Sequence, residues 1–238
     1  MSDWWTYRLS DFLLFSPDTY RRLFELYNAG IWPVQIAAAL LGLLALAAAL
    51  RRSPREAVVL AILALCWAWV GGAFHLGHYQ TINWAAIGFA GAFGIQALLL
   101  AWAALAARGH AAAGKDPGGP FNRGTGLALC LLAVFGLPAL DLLLGRSAAQ
   151  AAFFGVTPDP TAIATLGLLL LMQGGGRAVL WPIPLAWCAI SGATLWAMNA
   201  PEALLPPAAG TAALALRLIG ARASMRRSRL AREHGEGR

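Results

Sequence analysis

The sequence predicts an all-α fold: a polytopic transmembrane bundle of about seven spans, with its N-terminus outside and its C-terminus in the cytoplasm. Three observations lead there. Of the 238 residues, 59% are hydrophobic and only 12% charged, about half the charge that solvates an ordinary soluble domain. Ile31 to Leu50 runs for twenty residues without an ionisable side chain, and at about 1.5 Å per residue such a run crosses a hydrocarbon core of about 30 Å. The apolar stretches are rich in Ala and Leu and lack period-two alternation, so they are helices and not barrel strands.

The chain divides into an amphipathic lead-in (1–30), a single bundle (31–220) and a basic tail (221–238). In the lead-in, Ser16-Pro17-Asp18 reads as a helix start, with Ser16 as N-cap and proline in the first turn. A helix from Pro17 to Asn28 places Tyr20, Leu23, Phe24 and Tyr27 on one face, with Arg21, Arg22 and Glu25 elsewhere. With Trp4, Trp5, Phe12, Leu13 and Phe15 ahead of it, the segment suits an interfacial anchor on the outer surface, or a lid over an outward opening. No signal-peptide pattern precedes it.

The predicted spans are 31–50, 57–76, 84–107, 125–145, 160–176, 178–198 and 203–220. Gln173 to Arg177, with three glycines in a row, makes a tight hairpin between the fifth and sixth. The seventh opens on Pro206-Pro207, tolerable in a first helical turn. Orientation follows from the basic residues: with the N-terminus outside, fourteen of eighteen are cytoplasmic, among them Arg51, Arg55, Arg108, Lys115, Arg123, Arg177 and the tail arginines. The lipid bilayer is thus the main partner, with anionic headgroups under the tail. The tail has neither a folded reader nor interleaved aromatics, so nucleic acid is not expected.

Few ionisable groups fall within the spans, and those that do point to function, because burying one in hydrocarbon costs at least a few kcal/mol. His75 and His78 end the second span, on one face if the α-helix continues. Asp141 follows Pro138 near the end of the fourth. A cluster of these three can relay protons, hold a metal or bind a polar solute; each also has a structural reading, as an interfacial group or a helix cap. Gln96 lies mid-span on a face shared with Ala85, Gly88 and Ala92, suiting a helix contact or a substrate contact. Tyr79, Thr81, Asn83 and Trp84 form the adjoining outer edge. Asp159 suits the N-terminus of the fifth span as a dipole-favoured carboxylate. Ser191 with His75 is a conceivable nucleophile–base dyad, against the commoner role of serine as packing glue.

Other classes find no support. Cys66, Cys130 and Cys188 are odd in number and sit in apolar runs, which disfavours a disulfide framework or a zinc module. The single lysine, Lys115, lies in a loop and lacks a Walker glycine pattern. His110 and His234 are cytoplasmic, leaving no pair of histidines on facing spans for haem. No cofactor is expected.

Three stretches together are familiar: Trp4-Trp5 through Ser10-Asp11 to Leu26-Tyr27-Asn28, Phe74-His75 to Ile82-Asn83-Trp84, and Pro158-Asp159-Pro160-Thr161 with the Leu-rich span behind it. They resemble an uncharacterised family of small bacterial multi-pass membrane proteins, some labelled permeases of the major facilitator type. The resemblance implies a bacterial inner-membrane location and carries no site residues. The leading expectation is a small permease or channel-like protein with an outer vestibule lined by His75, His78, Asp141 and Gln96, with Tyr79 and Asn83 beside them. The alternatives are an accessory or assembly subunit of a larger membrane complex, and a membrane enzyme or metal-handling protein; a homo-oligomer is compatible with any of them.

Overall fold

A computed structural model describes residues 14–51, 55–108, 120–172 and 177–235, by backbone alone beyond residue 223. Trp4, Trp5, Phe12, Leu13, His110, Lys115, the Gln173–Gly176 hairpin and the side chains of the later tail arginines lie outside the described residues. Among the described residues every regular element is helical: α1 (Pro17–Gly30), α2 (Val34–Leu50), α3 (Glu56–Trp69), α4 (Ala86–Ala107), α5 (Pro120–Leu131), α6 (Leu137–Leu143), α7 (Pro158–Leu171), α8 (Pro182–Ala197) and α9 (Leu205–Gly235).

Among the described residues, four helical stretches are long and apolar enough to cross a membrane: Glu56–Thr81, Ala86–Ala107, Phe121–Leu143 and Ala178–Ala197. A fifth results if α1 and α2, which meet at 88°, count as one broken span. This is fewer than the seven expected, for three physical reasons. The 17-residue α2 is just short of the required run. The 14-residue α7 spans only about 21 Å at 1.5 Å per residue. In α9 the apolar stretch passes without a break into the arginine-rich tail, which stays helical to Gly235.

The outward faces are apolar. On α4, Ile87, Ile95, Leu98, Trp102 and Leu105 are each more than half exposed, a continuous greasy stripe that suits lipid contact and that water would penalise. Helix α7 is the opposite case: Thr161 to Leu171 are all buried, so it forms the pillar around which the other helices pack. Its closest neighbour is α5. A Cβ on Gly126 would stand 2.8 Å from the Gly167 carbonyl oxygen, and one on Gly167 equally close to the Gly126 oxygen, so only two glycines permit this crossing. The pillar's hydroxyls are satisfied along its own axis. Thr161 and Thr165 donate to the carbonyls of Thr157 and Thr161, both at 2.7 Å, and Thr165 accepts from the Trp67 indole at 2.8 Å.

Two of the long helices are wound wide where function was expected. Helix α3 passes into a π-helical turn, Val70–Leu76, and α5 into another, Leu132–Gly136, before α6. The second has a direct cause: Pro138 offers no N–H and its ring crowds the carbonyl four residues back. The wider turn also breaks the α-register assumed for His75 and His78.

At the near end, α1 begins as the sequence indicates. Ser16 caps it, accepting from the Thr19 amide at 3.1 Å, with Pro17 in the first turn. Its apolar face does not lie free on a surface. Leu23, Phe24 and Tyr27 are buried against the bundle, and the Tyr27 hydroxyl donates to the Val156 carbonyl at 2.7 Å. The lead-in helix is therefore a cover over one end of the bundle.

Candidate functional site

Under that cover lies a cavity of about 70 Å³, lined by Tyr20 and Phe24 of α1, by Asp141, Arg146, Asp159 and Glu202, and by apolar side chains such as Leu137, Leu195 and Met198. At about 10–15 Å³ for each water-sized position, it holds roughly five non-hydrogen atoms. Beside it a wider surface depression shares Arg21, Arg146 and Gln150 with the cavity lining.

Local backbone geometry brings these charges together. After α6 the chain turns on Gly145 at φ +77°, with the Gly145 amide bonded to the Leu142 carbonyl and the Arg146 amide to the Asp141 carbonyl. This is the Schellman pattern, which needs a left-handed residue at its corner. It brings Arg146 back beside the last turn of the helix that carries Asp141. Helix α8 ends the same way on Asn199, at φ +54°, with Asn199 bonded to Trp196 and Ala200 to Leu195. Asparagine tolerates that conformation, and the turn delivers Glu202.

Arg146 donates to Asp141 through one guanidinium nitrogen and to Glu202 through another. Burial pulls the Arg146 pKa down, but its bonds to Glu202 and Asp141 outweigh that and hold it above the ordinary arginine value. The second Asp141 oxygen accepts the Ala152 amide at 2.8 Å. The second Glu202 oxygen, Oε2, has no partner, although the side chain is only 9% exposed. Asp159 accepts from the Trp187 indole at 2.7 Å and has Ser191 beside it. It lies in the first turn of α7, as expected of a dipole-favoured carboxylate, while the N-cap itself is Thr157, which makes no side-chain cap bond. Three carboxylates thus share one cavity with two guanidiniums, the largely buried Arg146 and the half-exposed Arg21.

Trp187 joins this cavity to a second feature. Its ring lies 5.1 Å from His75, which is fully buried among Phe74, Tyr79, Phe89, Phe93 and Trp187. Neither ring nitrogen of His75 has a hydrogen-bond partner. The Ser191–His75 dyad is therefore not formed.

The residues expected to line one vestibule are dispersed. Only Asp141 of them reaches the cavity. Tyr79 packs tilted beside the His75 ring, with centroids 5.9 Å apart, and accepts from the Asn83 side-chain amide at 3.0 Å. The His78 Nδ1 is 2.9 Å from the Ala73 carbonyl oxygen, with its ring against Tyr27. Gln96 is buried and donates to the Leu180 carbonyl at 3.0 Å, leaving its own oxygen unpartnered. Its packing face is also not the expected one: Gly88 and Gly91 face outward, with nothing within 4 Å of where a Cβ would stand, while Ala86, Ala90, Phe93 and Ala97 are buried. His75, His78 and Asp141 do not make a metal site; among the described residues no group of three or more His, Cys, Asp or Glu side chains is placed to share an ion.

Arg146 and Glu202 were not among the expected site residues, and Asp159, expected only at a helix N-terminus, also lines the cavity. The signal for Arg146 and Glu202 was present in the turn residues, Gly145 just before Arg146 and Asn199 just before Ala200-Pro201.

Residues 18–228 match a family of unknown function, DUF6064. The chain belongs to that family. No curated protein and no solved structure matches it.

Proposed function

We propose that this member of the family is a small multi-pass permease of a bacterial inner membrane, with the acidic cavity as its solute vestibule. In this reading all seven predicted segments lie within the bilayer. Helix α7 need not match its thickness, because protein and not lipid surrounds it. The N-terminus and α1 are outside. Arg55, Arg177 and Arg217 then fall at or toward the cytoplasmic end, as the distribution of basic residues favours.

The observation that carries the reading is the cavity itself: charged side chains buried at one end of a lipid-compatible bundle, under a helix that covers them. Intramembrane ionisable groups are costly and mark solute or ion pathways. The test is transport by purified protein in liposomes, read as current on a solid-supported membrane for small cations, anions and zwitterions, and as light-scattering swelling for neutral solutes. A current or swelling that Glu202→Gln or Asp141→Asn removes, at normal protein content, supports the vestibule. Silence toward every solute, together with a second polypeptide retained on gentle extraction, overturns it in favour of an accessory subunit.

A further inference from the structure

The cavity specifies the class of its occupant. We infer that it binds a small primary ammonium ion, with Glu202 and Asp159 as the anionic partners; the inference rests on the permease reading only for its role in transport, not for binding.

Charge disfavours an anion first. Three carboxylates line the cavity against two guanidiniums; Arg146 is already committed to two of the carboxylates, and Arg21, 45% exposed, lies 3.8 Å from Asp18 outside it. A hard divalent cation is the next candidate. It needs six or more oxygen ligands converging at about 2.0–2.6 Å, whereas the described residues hold no such carboxylate group and Arg146 occupies the space between Asp141 and Glu202. What is left is an acceptor without a donor. The Glu202 side chain lines the cavity and is more than nine-tenths buried, and its Oε2 has no hydrogen-bond partner. An N–H donor satisfies it, and an ammonium also meets its charge.

The remaining walls fit the same ligand. Asp159 supplies a second carboxylate whose hydrogen bonds come only from neutral groups, the Trp187 indole and Ser191. Tyr20 and Phe24, packed edge to face at 5.0 Å between centroids, present aromatic surface to the cavity, and such faces attract cations. The volume of about 70 Å³, roughly five non-hydrogen atoms, favours a small ligand such as methylammonium or ethylammonium.

The experiment is equilibrium binding of radiolabelled methylammonium to the full-length protein in detergent by scintillation proximity at pH 7. Competition is tested with ethylammonium, tetramethylammonium and sodium chloride. Saturable binding displaced by ethylammonium but at least tenfold less well by tetramethylammonium, which has no N–H, is the expected result. Glu202→Gln and Asp159→Asn should each weaken it by tenfold or more, while His78→Ala leaves it unchanged. Asp159→Asn leaves the Arg146 bonds intact and so guards against loss through misfolding. Absence of saturable binding to the wild type, equal displacement by sodium, or full binding in both acidic variants overturns the inference. Binding without any flux in liposomes sinks the permease reading alone; flux of another solute without methylammonium binding sinks this inference alone.

Discussion

Removing Arg146 tests whether the charge cluster is a closed, buried unit. Its side chain is 16% exposed and those of Asp141 and Glu202 are 9% each, so Arg146→Ala strands two carboxylates in a site that water reaches poorly. Breaking a buried pair in this way costs about 3–5 kcal/mol, against about 0.2–1 kcal/mol for an exposed bridge. The residual exposure of Arg146 argues for the lower end, about 3 kcal/mol, or roughly a hundredfold in the unfolding equilibrium. Unfolding by SDS titration in mixed micelles, followed by tryptophan fluorescence, reads this directly. Neutralising the stranded groups with Asp141→Asn and Glu202→Gln in the Arg146→Ala background should recover a large part of the loss. Arg146→Lys should fall between, because a single ammonium cannot bridge both carboxylates as the planar guanidinium does. A cost below about 1 kcal/mol for Arg146→Ala, the range of solvated surface pairs, or a triple variant no more stable than the single one, refutes the reasoning.

Three further outcomes follow from neighbouring contacts. His75→Phe should leave the melting temperature unchanged or higher, because it removes two unpartnered buried nitrogens from an aromatic cage; a loss above about 1 kcal/mol would mean that the imidazole makes a polar bond in the folded protein. Trp187→Phe keeps an aromatic ring but deletes the N–H that Asp159 accepts and shrinks a buried side chain, and should cost at least about 1.5–3 kcal/mol. Gly126→Ala should destabilise by about 1–3 kcal/mol by prising α5 from the pillar, whereas Gly88→Ala, on an open face of α4, should be neutral or stabilising by up to about 1 kcal/mol; equal effects at the two glycines would contradict the crossing.

The helices were legible because apolar run length and composition respond to one solvent. The α1 start was legible too, since Ser16-Pro17 acts within a single turn. What escaped was everything set by register or by distance along the chain. The π-turn at Val70–Leu76 defeats i, i+3 reasoning, so His75 turns into the aromatic cage while His78 lies against Tyr27. Arg146 and Glu202 are 56 residues apart and looked like ordinary loop charges. Asp159, Trp187 and Tyr20 come from three helices, and no local pattern announces their meeting. Even so, the left-handed corners at Gly145 and Asn199 were readable, and a Schellman reading would have placed Arg146 beside Asp141.

The proposed vestibule at one end raises the question of what closes the other. Beyond the His75 cage the pillar is apolar from Leu166 to Leu171 and wholly buried, and at the far end Arg177 is ion-paired to Glu56 with both side chains largely covered. Carriage of a solute across this bundle therefore requires the helices around α7 to separate. Three native thiols sit on that route as reporters: Cys66, Cys130 and Cys188 are free and 3%, 2% and 1% exposed. At rest, N-ethylmaleimide should label them far more slowly than an exposed cysteine. If solute drives opening, saturating methylammonium should raise labelling of Cys130, which lies against Gly167 at the close α5–α7 crossing, and Glu202→Gln should abolish the increase. Mass spectrometry of the peptides assigns each site. Labelling that is fast without solute would mean the closed pillar is not the resting state, and labelling indifferent to solute in a protein shown to transport it would place the pathway elsewhere than along α7.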